Sequence, residues 1–366
     1  MLSILDRYII KKFLGTFIFS IILIISIAVV FDINERLDKF VNNANANPTL
    51  YEVVFDYYFN FIPYYTNLFS ALFVFISVIF FTSKLADNSE IIAMLSNGVG
   101  FRRLMKPYMI SALVISLATG LLNNFVIPPA NTTRIAFQNK YFKNKGVDYV
   151  TRLQLQVNPG VYLYMESYDN RTKEGRNIVL DRFEEKELKS RLLAQRIRYD
   201  SLYHWTLLDY TTRDFEGMRE LVSSGTSIDT TLNVIPEDFL ITENGFEQMT
   251  TPKLYEFIES QKAKGLANVG NVSITLFEVE FHKRFASIFS AFILTIIGAS
   301  LSARKVKGGM GLKIGLGLAL SVSYILFMTV SSSFSVSGAM SPMLAVWVPN
   351  IVFIFIAAYV YRQAPN

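Results

Sequence analysis

The chain has no cysteine, and only two of its 366 residues are histidines, His204 and His282. The absence of cysteine excludes disulfides, thiolate zinc sites, iron–sulfur clusters and a cysteine nucleophile. The two histidines are far apart in the sequence, which argues against a histidine metal cluster, so we expect no metal ligands. Charge is scarce as well: 18% of the residues are charged, against about a quarter in an average soluble chain.

Motifs for catalysis and for binding nucleotides are also missing. Gly308-Gly-Met-Gly-Leu-Lys313 is rich in glycine but lacks the spacing, and the Ser or Thr after the lysine, of a phosphate-binding loop. Glu184 and Glu185 precede Lys186 in a predicted turn, which favours a solvated surface over an acid–base pair. The middle of the chain has many aromatic residues but no basic stripe beside them. We therefore expect no catalytic residues, no cofactor, no nucleic-acid partner and no enzyme activity.

What the sequence has in abundance is apolar residues, which make up 51% of the chain. Six apolar runs are long enough to span a bilayer as helices, at about residues 13–31, 61–81, 108–127, 285–301, 312–334 and 343–361. The first could instead be a cleaved signal peptide, but no small-residue cleavage site follows it. The third is expected to stop at Pro128-Pro129, because prolines do not continue a helix. Gly311 and Gly315 predict close helix packing at the fifth run.

Residues 130–283 lack such runs and instead alternate between apolar and polar positions. This alternation predicts strands over 161–166, 177–183, 192–199 and 204–210, with turns at 158–160, 168–171, 175 and 223–225. Short, regularly spaced strands are typical of a sandwich or jelly roll. One helix is predicted from Thr251 to Gly265, with Leu254, Phe257 and Ile258 on its packing face.

Basic residues near the ends of the runs indicate which side is cytoplasmic. The two termini and the loops after the second and fourth runs together carry twelve Lys and Arg against three acidic residues. Six spans also place both termini on one side, so the two indications agree. We therefore predict an α-helical membrane protein with six transmembrane helices, three on each side of an inserted periplasmic all-β jellyroll domain. The predicted domains are residues 1–129, 130–283 and 284–366, with both termini cytoplasmic.

The loop between the second and third runs carries the most informative short pattern. Asp87 and Glu90 have the spacing of a capping box, and Gly98 can take the left-handed conformation that ends a helix. We predict a cytoplasmic helix within residues 87–98, too short to be stable without packing. Its apolar side is predicted to consist of Ile91, Ile92, Met94 and Leu95. We interpret it either as a docking point for a cytoplasmic partner or as a plain surface loop.

The predicted spans are nearly free of charged residues, which argues against a carrier coupled to protons or sodium. Asn67, Asn123 and Asn124 are polar exceptions, and we interpret them as bridges between helices. An outer domain, a helix aimed at the cytoplasm and the lack of an energy-converting site are typical of a transporter subunit driven by a separate ATPase.

Several segments, each weak alone, are specific in this order around a β domain. They are Leu5-Asp-Arg-Tyr-Ile9, Glu90-Ile-Ile-Ala-Met-Leu-Ser-Asn-Gly98, Asn158-Pro-Gly-Val-Tyr-Leu-Tyr164, Trp205-Thr-Leu207, Glu280-Phe-His-Lys-Arg-Phe-Ala286, Ser300-Leu-Ser-Ala-Arg304 and Gly308-Gly-Met-Gly311. Over essentially its whole length the chain resembles the lipopolysaccharide export permease family (YjgP/YjgQ), the LptF/LptG-type membrane subunits of the Lpt ABC transporter.

The resemblance implies a subunit in the inner membrane of a Gram-negative bacterium that extracts lipopolysaccharide and passes it to a periplasmic β-jellyroll bridge. It implies a second permease subunit of the same family and a cytoplasmic ABC ATPase dimer as partners. The lipid is expected to enter between the first span of one subunit and the fifth span of the other. Glu90 matches the coupling-helix glutamate that fits a groove in the ATPase, Gly98 ends that helix, and Arg102 lies just beyond it.

The outer end of the first span departs from the family's pattern. Where some members carry lysines that meet lipid A phosphates, this chain has Asp32 and Asp38. Arg36 and Lys39 are nearby candidates for substrate contact, or they pair with the neighbouring acids, which include Glu35. The alternative function is a membrane-anchored envelope assembly or sensor protein whose periplasmic β domain binds a ligand without transport.

Overall fold

The computed structural model describes residues 3–41, 47–142, 149–217, 219–236, 245–263, 268–269, 272–303 and 309–364. The chain forms two compact units: residues 1–134 with 279–366, here called the membrane unit, and residues 135–278, here called the β unit. Among the described residues, six helices are long and apolar enough to cross a membrane. Three precede the strands and three follow them, which confirms the predicted six spans with a β domain inserted after the third. The predicted domain boundaries at 129/130 and 283/284 stay a prediction.

The helices are numbered in chain order, with two π-helical turns between them. They are α1 (Ile4–Val41), a π turn (Glu52–Tyr58), α2 (Phe59–Leu68), α3 (Ser70–Asp87), α4 (Glu90–Ser96), α5 (Phe101–Leu121), a second π turn (Leu122–Val126), α6 (Ile127–Tyr141), α7 (Thr251–Ala263), α8 (Ile274–Ser302), α9 (Gly309–Val336) and α10 (Pro342–Arg362).

The third span does not stop at Pro128-Pro129, so that prediction is wrong. α5 passes through the second π turn directly into α6, and helical structure continues to Tyr141. The wider turn comes just before the prolines, which therefore fall in the first turn of α6, where a missing N–H is tolerated. The Asn124 side chain also donates to the Gly120 carbonyl at 2.6 Å, which satisfies a backbone acceptor in this region.

Close packing in the membrane unit depends on two glycines that face α3. A Cβ at Gly298 would lie 2.9 Å from the Val78 side chain, and one at Gly317 would overlap the Ile79 side chain. Gly311 and Gly315, the pair predicted to pack closely, have no close neighbour within this chain, since a Cβ at either position would meet nothing within 4 Å among the described residues.

Two of the three asparagines bridge helices as predicted. Asn67 donates to Asn123 at 2.6 Å, and Asn123 donates to the Ser287 hydroxyl at 3.2 Å. These bonds join α2, the second π turn and α8. Asn124 instead bonds within its own helix.

The β unit contains a six-stranded antiparallel sheet in which each strand pairs with the next. Its strands are β1 (Tyr149–Asn158), β2 (Val161–Asp169), β3 (Glu174–Glu184), β4 (Glu187–Ser201), β5 (His204–Glu216) and β6 (Arg219–Thr231), and a short hairpin adds β7 (Asn268–Val269) and β8 (Val272–Ser273). The four predicted strands are confirmed as β2 to β5, whereas β1 and β6 were not predicted. Among the described strands the order is a meander.

Two predicted turns are wrong because their glycines lie inside strands. Gly225 of β6 pairs with Tyr210, and a Cβ there would lie 2.8 Å from the tyrosine ring. Gly175 of β3 sits where a Cβ would lie 2.7 Å from both Ile197 and Met165. Both glycines therefore make room for large neighbours. The predicted turn at Gly160 is confirmed, with φ +76°.

In each pair of neighbouring strands one cross-strand residue pair is missing, and the missing pairs lie in a single row that crosses all six strands. On either side of the row the register is unchanged; for example, β3 and β4 pair Arg176 with Arg196 and Ile178 with Ala194. We call this row the crease, and it consists of Arg152, Glu166, Asn177, Gln195, Asp209 and Thr226. On alternate strands, Arg152, Asn177 and Asp209 have φ values of 55°, 49° and 54°. Such left-handed residues are strained and interrupt the pleat.

α7 packs within the β unit through the face that the sequence predicted. Leu254 and Ile258 are buried, and the rings of Phe257 and Phe277 lie 5.1 Å apart. Lys262 forms an ion pair with Glu278 at 2.5 Å, and this contact raises the pKa of Lys262. The predicted helix end at Gly265 lies outside the described residues.

Candidate functional site

The candidate site is built on the turn between α3 and α4, which consists of residues 87–90 and is here called the α3–α4 corner. α3 ends at Asp87, Ser89 adopts a left-handed conformation with φ 63°, and α4 begins at Glu90. No side chain caps α4, so the predicted capping box between Asp87 and Glu90 is wrong. A capping box requires an extended residue before the helix, and the left-handed Ser89 does not provide it.

α4 presents one buried face and one exposed face. Ile91 is fully buried in the core of the membrane unit, and Met94 and Leu95 pack partly against that core. Ile92, by contrast, is 48% exposed, so one residue of the predicted apolar side does not pack against the core. Ile92 and Ser96 leave an open surface on the far side of α4.

Gly98 ends α4 as predicted. Its φ is +81°, its N–H donates to the Leu95 carbonyl at 3.0 Å, and the N–H of Val99 donates to the Met94 carbonyl at 3.1 Å. This pair of bonds is the Schellman motif, which satisfies the last carbonyls of a helix. A residue with a Cβ is disfavoured at such a φ, so glycine fixes where α4 stops.

The Glu90 carboxylate is held by two neighbours. The Tyr8 hydroxyl of α1 donates to one oxygen at 3.0 Å, and the Asn88 side chain donates to the other at 3.3 Å. Lys12 lies 5.7 Å from the centre of the Tyr8 ring, so a cation flanks the tyrosine. Glu90 itself stays partly exposed.

An ion pair between the buried carboxylate of Asp6 and the partly exposed side chain of Arg103 fixes α1 beside this site. Arg103 of α5 donates to both carboxylate oxygens of Asp6, at 2.6 and 2.7 Å. Ser3 and Asp6 bond reciprocally through their side chains and backbone N–H groups, at 2.9 and 3.2 Å, which forms a capping box at the start of α1. Two-pronged Arg–carboxylate pairs are geometrically specific. The start of α1 is therefore held in a defined position.

A lysine from α9 reaches the same corner. Lys313 is 6% exposed, donates to the Ser302 carbonyl at 3.3 Å, and lies 4.0 Å from the Asp87 carboxylate. A buried lysine requires a partner of this kind, because an unpaired charge in an apolar setting is costly.

The structure brings the predicted residues Glu90 and Gly98 together at the two ends of α4, and it places Arg102 on the exposed side of the first turn of α5. Sequence reasoning did not predict the partners Tyr8, Asp6 and Lys313. Tyr8 and Asp6 do lie in the Leu5–Ile9 segment that carries the family resemblance, but nothing in the sequence says what they contact.

The predicted substrate contacts lie near the other end of α1. Arg36 donates to Asp32 at 2.7 Å, which agrees with the interpretation of a local ion pair. Asp32 is 8% exposed and also accepts bonds from the hydroxyls of Tyr57 and Tyr58, at 3.2 and 3.1 Å. Lys39 lies in the last turn of α1. No group of three or more metal-ligating residues occurs among the described residues.

The fold and this site define a class of protein: a multi-pass membrane protein with six spans, an inserted antiparallel β unit and a short helix at the corner between two spans. The family model of the lipopolysaccharide export system permease LptF/LptG matches residues 7–363, and the chain belongs to this family. A comparison with curated proteins gave no match. The chain is thus a transporter permease subunit and not itself an enzyme.

Proposed function

We propose that the chain is one of two permease subunits in an ATP-driven exporter of the inner membrane. The exporter takes lipopolysaccharide out of that membrane and passes it to a periplasmic β-jellyroll bridge. A second permease subunit of the same family and a cytoplasmic ABC ATPase dimer complete the assembly. The observation that carries the proposal is α4: Ile91 anchors one face in the core, while Ile92 and Ser96 remain exposed for a partner.

Glu90, Gly98 and Arg102 are the residues that we assign to ATPase coupling. A carboxylate offers about four acceptor sites, so the bonds from Tyr8 and Asn88 leave capacity for a donor from the ATPase. Gly98 sets the length of α4, and Arg102 adds an exposed cation beyond it.

The proposal places both termini and α4 in the cytoplasm and the β unit in the periplasm. The excess of Lys and Arg in the segments on the α4 side, twelve against three acids, supports this orientation.

The β unit is proposed to join the periplasmic bridge through a sheet edge. β1 and β6 are the end strands of the six-stranded sheet, and the end strand of a sheet can pair with a strand from another protein. Leu221 and Val222 on β6 are 55% and 62% exposed, so β6 offers apolar contacts beside a backbone edge that pairs with no other described strand.

Arg36 and Lys39 are proposed to contact lipopolysaccharide phosphates. A guanidinium has five N–H donors and can hold a carboxylate while it meets a phosphate. Asp32 would then orient Arg36 toward the lipid while lowering the net positive charge at the site.

Glu90→Ala tests the coupling assignment. The variant is expected to fold and insert normally, because Glu90 is partly exposed. Its affinity for the ATPase is expected to fall by about tenfold or more, which is the effect of losing an interface hot spot. Copurification of the ATPase, and lipopolysaccharide extracted per ATP from vesicles, provide the readouts. Glu256→Ala, an exposed position on α7, is the matched control.

Gly98→Pro tests the same surface by another route, since it removes the bond from the Gly98 N–H to Leu95 and cannot adopt φ +81°. Normal export by both variants would contradict the coupling role. If the unmodified chain bound no ATPase but did bind an envelope ligand, the result would favour the alternative function, a membrane-anchored assembly or sensor protein.

A further inference from the structure

The α3–α4 corner makes polar contacts with two other spans. Glu90, the first residue of α4, accepts a bond from Tyr8 of α1 at 3.0 Å. Asp87, the last residue of α3, lies 4.0 Å from Lys313 of α9. Only Asn88 and Ser89 thus separate a contact with the fifth span, through Asp87, from a contact with the first span, through Glu90.

The contact with α1 is firmly supported. Ile9, beside Tyr8, is fully buried in the same core as Ile91 of α4. The two-pronged pair between Asp6 and Arg103 holds the first turn of α1 against α5. The first turn of α1 is therefore fixed, and a displacement of α4 acts on α1 just after that turn, at Tyr8. We expect the displacement to be passed along α1 toward its other end.

The contact with α9 has a comparable anchor. Lys313 is buried and donates to the carbonyl of Ser302 at the end of α8, which holds its ammonium group in position near Asp87. The start of α9 is thus tied both to α8 and to the corner.

The two spans reached by these contacts are the least buried of the six. Only 17% of the apolar window of α1 and 22% of that of α9 is buried, whereas α3 reaches 67% and α8 reaches 61%. The exposed faces of α1 and α9 can shift against lipid or a neighbouring protein without breaking the core. Movement at the corner is therefore least resisted along these two spans.

We infer that Tyr8 and Lys313 are positioning residues that pass movement of α4 to α1 and α9. This inference rests on the proposed coupling role of α4. Tyr8 transmits through its hydroxyl to Glu90, and Lys313 transmits through its ammonium group to Asp87. We expect ATPase binding to depend on Glu90 itself and not on these two residues. Lys313 is buried, and the bond from the Tyr8 hydroxyl leaves further acceptor sites on the Glu90 carboxylate for the ATPase.

Tyr8→Phe and Lys313→Met remove the polar group of each contact and keep most of the side-chain volume. In the copurified complex, in phosphatidylethanolamine–phosphatidylglycerol vesicles that contain lipopolysaccharide, each variant is expected to capture the ATPase normally. Lipopolysaccharide extracted per ATP should fall roughly two- to tenfold, the scale of one hydrogen bond or ion pair. Tyr359→Phe and Lys253→Met, both at exposed positions, are matched controls.

Unchanged extraction per ATP in both variants overturns the inference. Loss of ATPase capture also overturns it, since Tyr8 or Lys313 would then shape the docking surface. Failure of the coupling role itself is recognised separately, because Glu90→Ala would then export normally.

A second readout requires no ATPase. The chain has no cysteine, so a spin label attached through Ala93→Cys reports on α4 alone. Tyr8→Phe and Lys313→Met are expected to increase the mobility of this label in the full chain. Unchanged mobility would contradict the contacts on which the inference depends.

Discussion

At the scale of single residues, the glycines of α9 differ in what surrounds them although they look alike in the sequence. Gly317 faces Ile79 and Phe75 of α3 so closely that a Cβ has no room. Gly315, two residues earlier, faces open space. Glycine at 317 is therefore required by packing, whereas glycine at 315 is not.

Gly317→Ala is expected to destabilise the membrane unit by about 1–3 kcal/mol, because the added methyl group must displace the buried Ile79 side chain. Gly315→Ala is the matched control and should be neutral or stabilising by up to about 1 kcal/mol, since alanine favours the helix. Thermal unfolding in detergent, followed by the loss of helical circular dichroism, measures the difference. Equal stability of the two variants would contradict the close approach of α9 to α3.

This contrast shows where prediction from sequence ends at the residue scale. A small-xxx-small spacing says that two glycines share a helix face, but not which face meets a neighbour. The same limit applies to Glu90, which was identified by its segment, while its partner Tyr8 lies 82 positions away. Long-range side-chain partners carry no periodic signal in a single sequence.

At the scale of elements, α4 was predicted correctly at its end and wrongly at its start. A glycine in the left-handed conformation is a strong local signal for the end of a helix, so the end of α4 at Gly98 could be predicted from the sequence. The start depended on Ser89, whose left-handed conformation lets α3 turn sharply into α4 and leaves no room for a capping box. In the β unit, β6 was not predicted because it is polar and lacks a clear apolar alternation. β1 does alternate, with Leu153, Leu155 and Val157 buried between polar residues, so the sequence does carry the signal for that strand.

The crease gives a prediction at this scale. Asp209 has φ 54°, a conformation that glycine adopts readily and a β-branched residue does not. Asp209→Gly should therefore change the free energy of unfolding of the β unit by less than about 1 kcal/mol, whereas Asp209→Val should lower it by about 1–3 kcal/mol. The buried Trp205 reports on unfolding in the full chain when Trp347→Phe leaves it as the single tryptophan.

Gln195→Val is the control for the crease, since Gln195 lies in the same row but is not among the residues with positive φ. It should be close to neutral. Equal destabilisation by Asp209→Val and Gln195→Val would mean that the row is sensitive for a reason other than backbone strain.

At the scale of the whole molecule, the six spans were the most predictable feature. An uncharged apolar run of about twenty residues is typical of a helix that crosses a bilayer, so the apolar runs alone predicted the number of spans. The order of three spans, a β unit and three spans followed directly. Sequence could not specify how the corner between α3 and α4 connects to α1 and α9, because those contacts depend on the packing of the spans.

If α4 docks a cytoplasmic ATPase, the exposed face of α4 contacts that ATPase directly. A photo-reactive amino acid in place of Ile92, which is 48% exposed, tests it in native membranes, with the same substitution at the buried Ile91 as the control. We expect a cross-link to an ATPase from position 92 that is absent from position 91 and weakened by Glu90→Ala. The absence of an ATPase cross-link from position 92, or equal cross-linking from both positions, would contradict it.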